Sequence, residues 1–78
     1  MELSEAANRL LKIMAEHPDY NRSELLLKAL RIDYINQGKN LDVNDARRAI
    51  EEAVGSGRLE TEVVRGEKRY SLSDVEET

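Results

Sequence analysis

The 78-residue sequence contains no cysteine, tryptophan or phenylalanine, and it has one proline and three tyrosines. Without cysteine, neither disulfide bonds nor thiolate metal sites can form, so a reducing compartment is permitted. The few aromatic residues argue against a platform that stacks the bases of RNA or single-stranded DNA. No apolar run approaches the roughly 20 residues of a membrane span. The chain also opens without a basic and apolar leader, and we expect a cytoplasmic protein with no membrane contact.

Residue patterns that support catalysis are also missing. We find no nucleophile beside a base, no glycine-rich phosphate loop and no pair of acids in an apolar setting. His17 is the one histidine and precedes Pro18, so we expect it in a loop; a metal site would need mostly carboxylates. The sequence therefore predicts no enzyme, no metal site and no cofactor.

The formal net charge of -4 is distributed unevenly along the chain. Residues 58 to 72 carry four basic and three acidic groups, whereas residues 73 to 78 carry three acidic groups and no basic one. Partners respond to local charge more than to the total. We predict one domain over residues 1 to 73 and an acidic, disordered tail over residues 74 to 78.

Apolar residues recur at three- and four-residue spacing in three segments, which predicts helices over residues 3 to 16, 22 to 37 and 43 to 55. Asn21 and Glu24 resemble a capping box for the second helix, and Gly38 suits its C-terminal cap. Asp42 is a plausible N-cap for the third helix. Because the second helix is apolar on more than one side, we expect it at the centre with Leu30 buried.

The apolar period changes from 3.6 to 2 after residue 57, which predicts a β-hairpin of strands 59 to 64 and 69 to 72. A two-residue loop at Gly66-Glu67, with glycine first, would pair Arg65 with Lys68. The same register places Val63 opposite Tyr70, and we expect Tyr70 in the core.

Three helices followed by a hairpin, with Gly57-Arg58-Leu59 leading into the first strand and Arg69-Tyr70-Ser71-Leu72 on the second, resemble a winged helix-turn-helix domain. The resemblance spans about residues 3 to 73 and implies a mainly α, α+β fold with a three-helix unit and one wing. In that family the third helix usually enters the DNA major groove and the wing touches the backbone. The residues that would read bases are Asn44, Arg47 and Arg48, with Glu51 beside them, and the wing contacts would be Arg65, Lys68 and Arg69.

The function implied by the resemblance is that of a small transcriptional or replication regulator that binds double-stranded DNA, as a homodimer. The alternative is a winged-helix module that docks a protein partner and binds no nucleic acid. Two simpler interpretations also stay open. Arg47 and Arg48 could solvate a helix face and pair with Glu51 or Glu52, and the wing cations could protect a strand edge from aggregation.

Overall fold

A computed structural model describes residues 3 to 73 of the chain. Three helices, α1 (Glu5–Glu16), α2 (Ser23–Asn36) and α3 (Val43–Gly55), precede two antiparallel strands, β1 (Leu59–Val64) and β2 (Glu67–Leu72). This order confirms the mainly α, α+β class and is compatible with a winged-helix topology. The predicted acidic tail, residues 74 to 78, lies outside the described residues.

Side chains and glycines at the helix ends explain most of the helix boundaries. Ser4 caps α1 by accepting a hydrogen bond from the Ala7 amide (3.3 Å), so this helix begins two residues later than predicted. Asp42 caps α3 as predicted, because its carboxylate accepts from the Asn44 amide at 3.2 Å. After α2 the chain turns at Gly38, whose φ of 77° lies in the left-handed region that favours glycine.

The predicted capping box at the start of α2 is wrong. Arg22 is the N-cap residue, and no side chain caps this end of the helix among residues 3 to 73. The reason is tertiary: residues 21 and 22 are drawn alongside β2. The Asn21 carbonyl accepts from the Tyr70 amide at 2.8 Å, and Arg22 forms an isolated antiparallel bridge with Arg69. This pairing shifts the start of the helix by one residue.

The core lies where the three helices meet the base of the hairpin. Its largest fully buried side chains are Leu10 of α1 and Leu26 and Leu30 of α2. Leu30 is therefore buried as predicted, and its cluster includes residues from every helix and from β1. Alanines fill the α3 side of this cluster, and the small side chains allow close approach of α3 to α1. The buried residues of α3 are Ala46, Ala49, Ile50 and Ala53.

The other elements pack against α2, as expected for a central helix, but they cover only one of its apolar sides. The helix contacts α1, α3 and β2, and it buries Leu26, Leu30 and Tyr34. On its other side Leu25, Ile32 and Ile35 are exposed. The elements within residues 3 to 73 are too few to surround a central helix, so one apolar side of α2 faces outward.

The hairpin forms with a different register from the predicted one. Val63 lies opposite Lys68, Thr61 lies opposite Tyr70, and the two loop residues are Arg65 and Gly66. The loop lies one residue earlier in the chain than predicted. As a result, the partner of Val63 on β2 is two residues earlier than Tyr70, the predicted partner. An even shift keeps the same side chains on each face. However, Val63 loses the cover expected from Tyr70 and is 67% exposed.

Turn geometry and cross-strand partners favour the observed register. Arg65 and Gly66 have φ values of 54° and 80°, and two positive φ values define a type I′ turn, whose twist matches that of the strands. The predicted loop, with glycine first, would have been type II′. The observed register also sets Leu59 against Leu72. Pairs of apolar side chains stabilise adjacent strands.

Candidate nucleic-acid interface

The outward face of α3 carries the polar residues that the helical period predicts. Asn44, Arg47, Arg48 and Glu51 are all exposed, because Ala46, Ile50 and Ala53 turn the opposite side of the helix into the core. Arg47 has no ion pair within residues 3 to 73. Arg48 approaches the Asp45 carboxylate at 4.0 Å, a long and exposed pairing that leaves the guanidinium accessible.

The acidic residues of α3 do not neutralise both arginines. Glu52 accepts a hydrogen bond from the Ser4 amide and so joins α3 to the start of α1. Glu51 forms no ion pair with Arg47 or Arg48, although it lies one turn from Arg47. Arg47 and Arg48 therefore do not pair with Glu51 or Glu52, as one of the simpler interpretations had expected.

Arg47 and Glu51 line a groove between α3, the start of α2 and the hairpin. Its volume is about 430 Å³, and Leu27, Ile50 and Tyr70 provide its apolar wall. Ser23 and Glu24 line it from α2. Tyr70, which was expected in the core, is half-buried and packs against the core, and its partner is Thr61 instead of Val63.

Two cations of the wing, Arg65 and Lys68, are exposed. Arg65 occupies the turn, and Lys68 lies on the same strand face as Tyr70, two residues and therefore about 7 Å along β2. Neither side chain has an ion pair in the described part of the chain. Neither cation lines the groove, but Tyr70, which does, shares its strand face with Lys68.

Arg69 projects to the opposite face of the hairpin from Lys68, since neighbouring strand residues alternate. It is half-buried, and its guanidinium lies 3.6 Å from the Glu67 carboxylate, which also approaches Arg22 at 3.8 Å. The Arg69 Nε is buried without a hydrogen-bond partner among the described residues. The predicted wing cations therefore fall on two surfaces, with Arg69 beside the segment that precedes α2.

Acidic residues interrupt the positive charge between α3 and the wing. Glu24 and Glu51 line the same groove as Arg47, and all three side chains are exposed. The sequence analysis did not connect Glu24 with this site, because only the packing of α2 against α3 brings the two helix surfaces together. No local sequence pattern relates residue 24 to residue 47.

The most tightly bonded ion pair of the described chain lies away from the groove and joins α1 to α2. Arg9 donates from Nε and Nη2 to the two oxygens of Asp33 at 2.9 and 2.7 Å. Gln37 donates to the same carboxylate at 2.9 Å. The hydrogen bonds from Arg9 hold the pKa of Asp33 below its usual range, and the Arg9 pKa is correspondingly raised. This pair orients the two helices.

Residues 3 to 73 contain no cluster of three or more histidine or acidic side chains that could hold a metal ion. His17 follows α1 as predicted and stacks on Tyr20, with ring centroids 4.7 Å apart. None of the described helices has the length and apolarity of a membrane span.

Comparison with known proteins finds no matching family model, no matching curated protein and no matching solved structure.

Proposed function

We propose that this protein is a winged-helix DNA-binding protein, a small regulator of transcription or replication that acts on duplex DNA in the cytoplasm. The observation that carries the proposal is the position of three cations without ion pairs in the described chain: Arg47 on α3, and Arg65 and Lys68 on the wing. They lie on two neighbouring elements that meet at Tyr70.

In this proposal α3 enters the major groove and the wing lies along the backbone. Arg47 and Arg48 donate to guanine edges, and Asn44 bonds adenine, because these side chains present the matching pairs of hydrogen-bonding groups. Arg65 and Lys68 neutralise phosphates and carry no sequence information. Arg69 is assigned a lesser role at phosphate, since its guanidinium is already held by Glu67.

A salt-dependent titration of a random-sequence duplex, followed by fluorescence anisotropy, tests the proposal. Each phosphate contact contributes close to one unit to the slope of log K against log salt. The double variant Arg65→Ala/Lys68→Ala should therefore flatten the slope by about 1 to 2 units on every sequence. The matched control is Lys12→Ala/Arg58→Ala, which removes one lysine and one arginine that are also exposed and have no ion pair in the described chain.

The control pair lies away from the candidate interface, with Lys12 on α1 and Arg58 at the end of the hairpin opposite the turn. It changes the total charge by the same amount, so it should leave the slope within about half a unit of the parent value if contacts rather than net charge matter. Equal flattening by both double variants would remove the assignment of the wing. No binding by the parent protein at about 0.02 M salt would remove DNA binding altogether.

The interrupted charge of the groove favours a second candidate, a module that docks a protein. Glu24 and Glu51 flank an apolar wall of Leu27, Ile50 and Tyr70. That arrangement suits an apolar side chain of a partner with basic residues next to it. This candidate forecasts no duplex binding by the parent at about 0.1 M salt, and no effect of the wing substitutions on binding. The same titration therefore distinguishes the two functions.

A further inference from the structure

The hairpin has one covered edge and one open edge. Residues 21 and 22 lie alongside β2, where the Asn21 carbonyl accepts a hydrogen bond from the Tyr70 amide at 2.8 Å. The sheet of the described chain has two strands, so β1 forms its other edge. Residues 60 to 63 are all exposed, and no element within residues 3 to 73 covers them. We call the outer side of these four residues the β1 edge.

The backbone groups that point outward at the β1 edge belong to Thr61 and Val63. Along an antiparallel pair, residues that bond the partner strand alternate with residues that point away from it. The Tyr70 amide points away from β1, towards Asn21, so Thr61, which lies opposite Tyr70, also points away from its partner. Alternation gives Val63 the same orientation. Each of the two residues thus presents one amide and one carbonyl outward, and no other element of the described chain bonds them.

β1 lacks the features that most often keep a strand edge from pairing. Natural edges are commonly protected by lysine, proline or a bulge. Residues 59 to 64 contain neither lysine nor proline, and they pair with β2 one to one, without a bulge. The protection that β1 carries is charge of one sign, from Glu60 and Glu62. Such charge repels an acidic strand and attracts a basic one.

Glu60 and Glu62 are available to a partner. Both are exposed and lie on the same face of the hairpin, and neither forms an ion pair within residues 3 to 73. Glu60 accepts a long hydrogen bond of 3.4 Å from the Ser73 hydroxyl. Arg69 lies opposite Glu62 on β2, but its guanidinium approaches Glu67 at 3.6 Å. An incoming cation would therefore not have to displace one that is already bound.

Arginines flank the two glutamates. Arg58 precedes β1 on the same face as Glu60, and Arg65 occupies the turn at the other end of the strand. Both arginines are exposed, and neither has an ion pair in the described part of the chain. The strand that matches β1 in charge is therefore basic at its centre and acidic opposite Arg58.

A second copy of β1 does not match the β1 edge. Strands related by a two-fold axis pair antiparallel, and their outward-pointing residues must face each other. With Thr61 opposite Thr61, Glu60 of each copy would lie opposite Glu62 of the other. With Thr61 opposite Val63 the two Glu62 side chains would meet, and with Thr61 opposite Leu59 the two Glu60 side chains would meet. Like charges directly opposite each other destabilise such a pair, so the charges favour a different chain.

We propose that the β1 edge binds an extended segment of another protein as a third, antiparallel strand, with basic residues opposite Glu60 and Glu62. The amides and carbonyls of Thr61 and Val63 bond the backbone of the added strand, as in other complexes formed by strand addition. Side chains directly opposite each other have Cβ atoms about 5 Å apart, so a lysine or arginine reaches the carboxylate. The inference does not depend on DNA binding, because Lys68 and the groove beside Arg47 lie outside the β1 edge.

A synthetic peptide of matching pattern tests the proposal on the parent chain labelled with ¹⁵N. The peptide is acetyl-Ile-Thr-Lys-Val-Lys-Thr-Glu-amide. In the antiparallel arrangement its valine lies opposite Thr61, its lysines opposite Glu62 and Glu60, and its glutamate opposite Arg58. Titration should move the amide protons of Thr61 and Val63 downfield in a saturable way, because both amides gain hydrogen bonds.

Methylation of single peptide nitrogens distinguishes strand addition from simple charge attraction and leaves the protein unchanged. The valine nitrogen faces β1, so its N-methylation removes a hydrogen bond and inserts a methyl group, and Kd should rise about tenfold or more. The nitrogen of the first lysine points away from β1. N-methylation there is the matched control and should keep Kd within about twofold. Equal losses from the two modifications would overturn strand addition.

Charge reversal in the protein tests the choice of a basic partner. Glu62→Lys should raise the peptide Kd about fivefold. Glu16→Lys makes the same change at an exposed glutamate of α1 and should leave Kd within about twofold of the parent value. The absence of shifts up to about 2 mM peptide would overturn the proposal, as would shifts confined to the groove beside Arg47. Shifts of Thr61 and Val63 that depend on protein concentration without peptide would assign the edge to a second copy instead.

Discussion

Replacing Leu30 with alanine tests the core that positions α3 and the hairpin. Leu30 lies near the middle of α2 and its side chain is 0% exposed. The substitution removes about three methylene-sized groups at roughly 0.8 kcal/mol each, and the cavity that remains adds to the loss. We expect the free energy of unfolding to fall by about 3 kcal/mol. Because a domain of this size has roughly 4 to 12 kcal/mol in total, the variant should unfold at a much lower urea concentration.

Leu25→Ala is the matched control for this measurement. It is the same substitution on the same helix, but Leu25 is 41% exposed, so we expect a loss below about 1 kcal/mol. Urea titrations at low micromolar protein keep self-association from adding to either value, and equal m-values would show that both variants unfold the same structure. If the two losses differ by less than about 1 kcal/mol, α2 is not placed as described.

Three further predictions follow from single contacts and backbone angles. Arg9 lowers the pKa of Asp33 in the folded state; this carboxylate therefore stabilises the fold above its unfolded pKa of about 4 and loses that effect as the pH falls. Asp33→Asn should flatten the acid-induced loss of stability measured by urea titration, and an unchanged pH profile would contradict this. Gly66→Ala should destabilise the hairpin by about 1 kcal/mol because Gly66 has a φ of 80°, whereas Gly55→Ala, in a helix and equally free of steric contact, should raise the melting temperature. If both substitutions raised the melting temperature, or both lowered it, the result would be inconsistent with the positive φ of Gly66 in the turn. Arg47→Ala should cost roughly 1 to 3 kcal/mol on a preferred DNA site and little on others, and equal losses on all sequences in anisotropy titrations would assign Arg47 to the backbone instead.

The hairpin illustrates how far local patterns can predict this fold. The alternating apolar residues identified both strands and the faces of their side chains. They did not distinguish a loop at Gly66-Glu67 from one at Arg65-Gly66, since each contains a glycine that permits positive φ. The pairing of Leu59 with Leu72 and of the Tyr70 amide with the Asn21 carbonyl decided between them. Those contacts join residues far apart in the chain.

Local patterns predicted part of the candidate site as well, and the rest depended on tertiary contacts. The helical period was enough to place Asn44, Arg47 and Arg48 together on the exposed face of α3, because one buried stripe determines the opposite side of a helix. The alternation of side chains along β2 was enough to separate Arg69 from Lys68, although both were predicted as wing contacts. The contribution of Glu24 to the groove could not be inferred from any local pattern.

The sequence by itself determined the number and type of the elements, the Asp42 cap and the Gly38 turn, and the burial of Leu30. These features depend on residue periodicity and on interactions between residues close in the sequence. Such interactions form in the same way wherever the segment packs. Only the tertiary structure decided the start of α2, the strand register, the exposed side of α2 and the residues that share the groove with Arg47. Each of these depends on which surfaces meet, and a limited set of elements cannot cover every apolar side that the sequence provides.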